Sequence, residues 1–391
     1  MRTADFDHPR VRLAWTALIG VMLAFAAMMI EIVYLGRGVN HLNDFHPIWV
    51  SAKLIFAGDW AVNYDAEALH LRHVEAGVDP HWRAPFPYPP FFMPFLGPLG
   101  ALPQAVAWAG MLAVTFAFYL WAVLGSRPAK SLAALSPLLA PTAAVNAMFG
   151  QTGFLSGALM VGGLRLATSR PYLAGALFGA LAYKPQLGLF IPLALAAAGL
   201  WRAIGAAALT VLFGIVASSA IYGPGAWLTW LHSVTAYSQD FEPVYSIMPT
   251  LAANLHMLGA GAGVSLGVEI AAALVVGWTI WNAFRAGVTP RASALLTIGT
   301  FLVTPHALVY DLPMMSGALL WWFHERMEAD KRIPTAELLV LVSCFAFAPI
   351  MAWHAFDATP MSWAPEMLAF ALVAGGRTSA KSTQAFATQA A

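Results

Sequence analysis

Charge is what this chain of 391 residues has least of. Only 10% of it is Asp, Glu, Lys or Arg, against 60% hydrophobic residues. Soluble domains carry about 25% charged residues, so too few remain here to clothe a surface in water. That deficit, with a mean hydropathy of +0.69, excludes a soluble enzyme and a disordered chain. Net charge is also missing: +1, from 20 Lys and Arg against 19 Asp and Glu. Such a chain projects no field for a polyanion, so no nucleic-acid partner is expected. Cysteine is nearly absent. The single Cys344 can form neither an internal disulfide nor a Cys-based metal site. What is present is apolar sequence in long runs, 24 Phe and 15 Trp. The class that remains is an all-α polytopic membrane protein.

A helix needs roughly 20 residues to cross the hydrocarbon core. Leu13 to Leu35 meets this after a basic start with Arg2, Arg10 and Arg12. Ala24-Phe25-Ala26 resembles a signal-peptidase site, but the apolar run continues about nine residues past it, so an uncleaved first span is expected. Further spans are expected near 100–124, 132–148, 152–168, 171–183, 186–200, 203–221, 264–284, 292–304, 307–323, 335–353 and 362–375. The expectation is a bundle of about 10–12 transmembrane helices. It forms a single integral membrane domain over 1–377, with a disordered cytoplasmic tail over 378–391.

Alternating the spans from a cytoplasmic N-terminus leaves Arg37, Lys53, Arg72, Arg83 and Lys184 outside. The other fifteen of the 20 Lys and Arg fall inside, as the positive-inside rule requires. Two outer loops are long, 36–99 and 222–263. Such loops carry function or interfacial helices, and Ala66 to Ala76 has the composition of a surface helix. No internal repeat supports a transporter built on inverted repeats.

On this topology the polar residues meet at one boundary. They are Asn43-Asp44-Phe45-His46-Pro47-Ile48-Trp49, Pro87-Tyr88-Pro89-Pro90, Asn146 with Gly150-Gln151-Thr152, Tyr183-Lys184-Pro185-Gln186, and Thr304-Pro305-His306 through Tyr310-Asp311. Each has two readings. Lys184 is a cation for a lipid phosphate or a snorkelling lysine at a helix end. Asp44 is a general base or, more commonly for such a sequence, the N-cap of a helix entering at Pro47. His306 binds phosphate or shuttles a proton; interfacial histidines are more often simply hydrogen-bonded. Asp311 could orient His306 or Lys184. Tyr88 between prolines reads first as a rigid turn.

Other signals carry less. Asp5-Phe6-Asp7 imitates a metal-binding DxD but lacks its βα context. The Gly259–Gly263 run lacks the strand and helix of a nucleotide loop. His70 and His73 have helical ligand spacing, but no carboxylate completes a zinc site. No G-x-S-x-G elbow is present.

In order along the chain, these pieces resemble glycosyltransferase family 87, membrane enzymes related to polyprenol-phosphate-mannose-dependent α-1,2-mannosyltransferases. The elements that carry the resemblance are Asp44-Phe45-His46 with Trp49 and Gly58 to Tyr64, Tyr88-Pro89-Pro90, Gly150-Gln151, Lys184-Pro185-Gln186, and Pro305-His306 with Tyr310-Asp311. The resemblance implies a GT-C-type bundle in a bacterial inner membrane, with its site facing the periplasm. It implies transfer of a hexose, for which mannose is one candidate, from a polyprenyl-phosphate sugar to a glycan or glycolipid. By the same resemblance the reaction is an inverting single displacement. Asp44 takes the place of the catalytic base, and Lys184 and His306 the places that bind the donor phosphate. His46, Trp49, Tyr88, Gln151, Gln186, Tyr310 and Asp311 are expected to bind substrate or support the site. Neither cofactor nor metal is expected. The alternatives are a transporter or flippase of lipid-linked sugars, whose polar residues would lie nearer the bilayer midplane, and an acyltransferase or ligase using a histidine on the same face.

Overall fold

The computed structural model describes residues 44–237, 242–329, 334–353 and 364–375. The expected first span, the Asp5-Phe6-Asp7 motif and the tail over 378–391 lie outside the described residues.

Every described regular element is helical. Helix α1 (Phe45–Ala57) leads through a 3-10 turn to α2 (Ala66–Glu75). The Asp65 side chain caps α2 by accepting from the Ala68 N–H at 3.0 Å. This is the helix expected near Ala66. Then follow α3 (Gln104–Leu124), α4 (Lys130–Phe149), α5 (Gly153–Leu166), α6 (Pro171–Tyr183), α7 (Pro185–Ala197), α8 (Trp201–Tyr222) and α9 (Gly225–Tyr237). The remainder are α10 (Leu251–Met257), α11 (Ala262–Arg285), α12 (Pro290–Val303), α13 (Pro313–Ala329), α14 (Thr335–Trp353) and α15 (Ala364–Gly375).

Each expected span after the first coincides with one of these helices. Among the described residues four, α3, α4, α8 and α11, are long and apolar enough to cross a membrane. The others are shorter pieces, broken where proline removes a donor or glycine ends a turn. One start differs from expectation: the helix expected from 307 begins at Pro313. Residues 304–308 are non-helical, and a 3-10 turn over Val309–Asp311 precedes it. That detour puts His306 in the non-helical stretch and Tyr310 and Asp311 in the 3-10 turn instead of on the face of a long helix.

The helices fall into two groups. Helices α5, α12 and α13 form the centre. All of α12 except Arg291 is buried, as is every residue of α13 from Pro313 to Phe323. By contrast, α8 and α11 lie at the periphery with Phe213, Leu274 and Trp278 exposed. Close packing of α6 on α8 depends on two small residues a turn apart. A Cβ on Gly175 would strike the Ala203 carbonyl, and one on Gly179 would reach the Ala207 carbonyl at 2.6 Å.

Candidate active site

The site is built around the connection between α4 and α5, residues Gly150-Gln151-Thr152. Gly150 ends α4 in a left-handed conformation, φ 66°. A Cβ there would come within 2.6 Å of the Phe45 Cβ. Gly153 opens α5 against the 3-10 turn, where a Cβ would strike the Tyr310 carbonyl. Only glycine allows both approaches. Asp44-Phe45 therefore presses on one side of the connection and Tyr310-Asp311 on the other. The Gly153 N–H also donates to Asn146 Oδ1 at 2.9 Å.

Asp44 stands at the N-terminal boundary of α1 but caps nothing. Its side chain accepts no backbone N–H of that helix. Oδ2 instead accepts from Gln151 Nε2 at 2.9 Å, across 107 residues of sequence. The capping reading suggested by Asp-x-x-Pro therefore does not hold. Burial pushes the Asp44 carboxyl up to about 7, against the opposing pull of the Gln151 hydrogen bond and the Lys184 charge.

Gln151 uses its other end as well: Oε1 accepts from the Tyr88 hydroxyl at 3.2 Å. Tyr88 is fixed in turn. Its backbone carbonyl accepts from the Tyr64 hydroxyl at 2.9 Å, and its ring lies among Phe86, Phe92 and Tyr183. Burial raises the Tyr88 phenol, so it stays a neutral donor.

On the far side of the connection lies an ion pair. Lys184 Nζ donates to Asp311 Oδ1 at 2.7 Å, with 8% and 3% of the two side chains exposed. The ammonium also sits 5.1 Å from the Tyr310 ring centre. So Lys184 does not snorkel outward; it is buried and ion-paired. His306 is close enough to feel both charges. Burial lowers its imidazole to about 4, so near neutral pH it carries no charge. Near neutral pH it can meet a phosphate with an N–H, not with a positive charge.

The structure thus brings together Asp44, Tyr88, Gln151, Lys184, His306, Tyr310 and Asp311. His46 and Trp49 bond to the neighbouring backbone: His46 Nε2 lies 3.1 Å from the Ala76 carbonyl, and Trp49 Nε1 donates to Leu102 O at 2.9 Å. Gln186 enters through its backbone, whose carbonyl accepts from Thr304 Oγ1 at 3.4 Å. The sequence reading passed over Ser156 and gave Tyr183 no role. Ser156 Oγ lies 2.6 Å from the Tyr183 hydroxyl and 3.5 Å from Asp311 Oδ1, and Tyr183 donates to the Thr152 carbonyl at 3.1 Å. The available signal was the i, i+4 spacing of Thr152 and Ser156, which puts both on one helix face. Among the described residues no group of three or more His, Cys, Asp or Glu is arranged to hold a metal ion.

A carboxyl poised near neutrality, a buried lysine and a run of hydroxyl donors suit a reaction in which a hydroxyl loses its proton and an anion departs. The comparison with known families gives that chemistry a class. The family model for glycosyltransferase family 87 matches residues 86–305, more than half of the chain. The chain belongs to glycosyltransferase family 87. No curated protein and no solved structure matches it. This family 87 chain is therefore a glycosyltransferase, with apolar helices of membrane-crossing length and a sugar donor and acceptor to bring together. The matched segment contains Tyr88, Gln151, Lys184 and Gln186. Asp44, His306 and Asp311 lie outside it; Asp44 joins it through Gln151 and Asp311 through Lys184.

Proposed function

We propose that this family 87 enzyme takes a hexose from a polyprenyl-phosphate sugar and transfers it to a hydroxyl of a glycan or glycolipid on the periplasmic face of a bacterial inner membrane. The observation that carries this reading is the Asp44 carboxyl. It is raised to about 7 and feels the charge of the buried Lys184, in a chain with four helices of membrane-crossing length. A base whose pKa lies near the working pH is best matched to proton abstraction, worth typically 10²–10⁴-fold. The excess of Lys and Arg in the opposite loops supports the sidedness.

The steps follow from charge. The acceptor oxygen attacks the anomeric carbon as Asp44 takes its proton. The bond from that carbon to the phosphate oxygen breaks, and its electron pair leaves with the polyprenyl phosphate. Lys184 has three N–H donors and gives one to Asp311. The others are available to the departing phosphate, whose charge grows in the transition state. His306 adds a neutral N–H. One displacement inverts the anomeric centre. Mannose is one candidate sugar, by likeness to the polyprenol-phosphate-mannose enzymes.

The test is transfer by purified protein in nanodiscs, offered a panel of polyprenyl-phosphate hexoses with extracted envelope glycolipids. Donor consumption with a new glycolipid, both reduced at least about a hundredfold in Asp44→Asn, is the expected result. Transfer by Asp44→Asn at the wild-type rate overturns the base. Donor left intact by wild type across the panel, together with flipping of the lipid-linked sugar in liposomes, overturns the reaction in favour of transport.

A further inference from the structure

The Asp44 carboxylate has two oxygens, and the site treats them differently. Oδ2 accepts from Gln151, while Oδ1 accepts no hydrogen bond from the described residues. We propose that Gln151 is the positioning residue of the base: its amide, aligned by Tyr88, holds one Asp44 oxygen so that the other faces the acceptor hydroxyl. This inference rests on the reading of Asp44 as the base.

The geometry makes the amide directional. An amide has a donor end and an acceptor end, and an ionised carboxylate only accepts. With Nε2 toward Asp44, Oε1 is left for Tyr88, whose hydroxyl supplies the matching donor at 3.2 Å. A flipped amide would set two acceptors, Oε1 and Oδ2, against each other. The Tyr88 hydroxyl could donate or accept, so the carboxylate decides the amide's direction, and Tyr88, held by its ring against Tyr183 and by the Tyr64 hydroxyl on its carbonyl, keeps the oxygen end of the amide occupied. Gln151 and Tyr88 are both buried, so no water competes cheaply for these bonds.

The backbone enforces the same register. Phe45, next to Asp44, packs on Gly150, next to Gln151, where a Cβ would intrude to 2.6 Å. Carboxylate and amide are thus held at both their main chains and their side chains. The hydrogen bond favours the ionised form and opposes the burial that penalises it. Loss of the amide would therefore do two things at once. It would release the carboxylate's orientation, and it would make the charged form harder to reach.

The experiment uses the full chain in nanodiscs and three variants: Gln151→Met, Tyr88→Phe and Asp44→Asn. Methionine fills nearly the same volume without the donor. It should lower kcat by about tenfold or more, since small errors in placing a reacting group can cost up to about a hundredfold. Donor KM should stay within about twofold. The acid limb of the kcat profile should move to higher pH, and so should the titration of the protonated-carboxyl infrared band that Asp44→Asn removes. Tyr88→Phe should shift both in the same direction by less, because the amide keeps its hold but loses its guide. It carries the test alone if Gln151→Met fails to fold. An unmoved limb and band in folded protein, or a loss confined to KM, overturns the inference and leaves Asp44 as the base. Wild-type transfer by Asp44→Asn overturns the base itself and this inference with it.

Discussion

Helices α8 and α12 are both strongly apolar by composition, yet their surroundings are opposite. Helix α8 runs 22 residues and buries only Ala203 and Ser218. Helix α12 runs 14 and buries all but Arg291. The peripheral pair, α8 and α11, shows Leu209, Leu212, Phe213, Leu274 and Trp278 on the outside; water would not tolerate that face, and lipid does. The central helices are too short to cross alone and instead support the site. Apolar character therefore marks two different neighbours, lipid and protein. What separates them is length and the placement of small polar residues such as Ser156, Ser316 and Thr300, all fully buried.

The sharpest way to break this contrast is to compare charge removal at the centre with truncation at the rim. Lys184→Met leaves Asp311 buried without its partner and should cost about 3–5 kcal/mol, read as unfolding in nanodiscs. Combining it with Asp311→Leu should restore much of that stability but not transfer. A cost for Lys184→Met no larger than that of a rim truncation would show that the centre is wetter than this packing allows.

Next in size is a steric test. Gly153→Ala drives a methyl against the Tyr310 carbonyl and should cost about 1–3 kcal/mol. Gly267→Ala on α11 meets nothing within 4 Å and should leave melting unchanged or slightly raised, since alanine is the better helix former.

Asp44 adds a pH test with a definite sign. Its folded pKa, about 7, exceeds its ordinary 3.8. The stability linked to this group is therefore fully present below pH 4 and is lost as the pH rises through 7. Asp44→Asn should melt roughly 2–5 °C above wild type at pH 8 and level with it near pH 4. Equal melting at both pH values would mean that the carboxyl is not penalised by burial. The smallest effect belongs to the rim: Leu212→Ala should change stability by less than about 0.5 kcal/mol. A larger loss would mean that another protein surface covers α8.

How much of this was legible in the sequence varies by residue. The apolar runs locate α3 to α8 and α11 to α15, because hydropathy reports local burial along a helix whatever the helix packs against. The break at 304–311 was less legible: Ala307-Leu308-Val309 is apolar enough to extend a span, and the one local mark of the true start is Pro313, at the first position of α13. At the site, Lys184, Asp311 and Tyr88 stood out as polar residues at span ends. Their pairing did not, nor did the choice of Gln151 over a helix cap as the partner of Asp44. Cap propensity is a local average, and here a distant amide overrode it. Ser156 was missed because a lone serine inside an apolar helix is unremarkable until its neighbour is known.

Composition alone determined that this chain is a helical membrane protein, since 10% charge cannot cover a surface in water. The order of polar motifs was enough to indicate a family. Tertiary structure alone decided which of those motifs touch. The site joins Asp44 to Gln151, Tyr88 to Gln151 and Lys184 to Asp311 across 107, 63 and 127 residues of chain. Periodicity acts over a few turns of helix, whereas contacts at that separation depend on how whole helices pack, and on two glycines small enough to let them close.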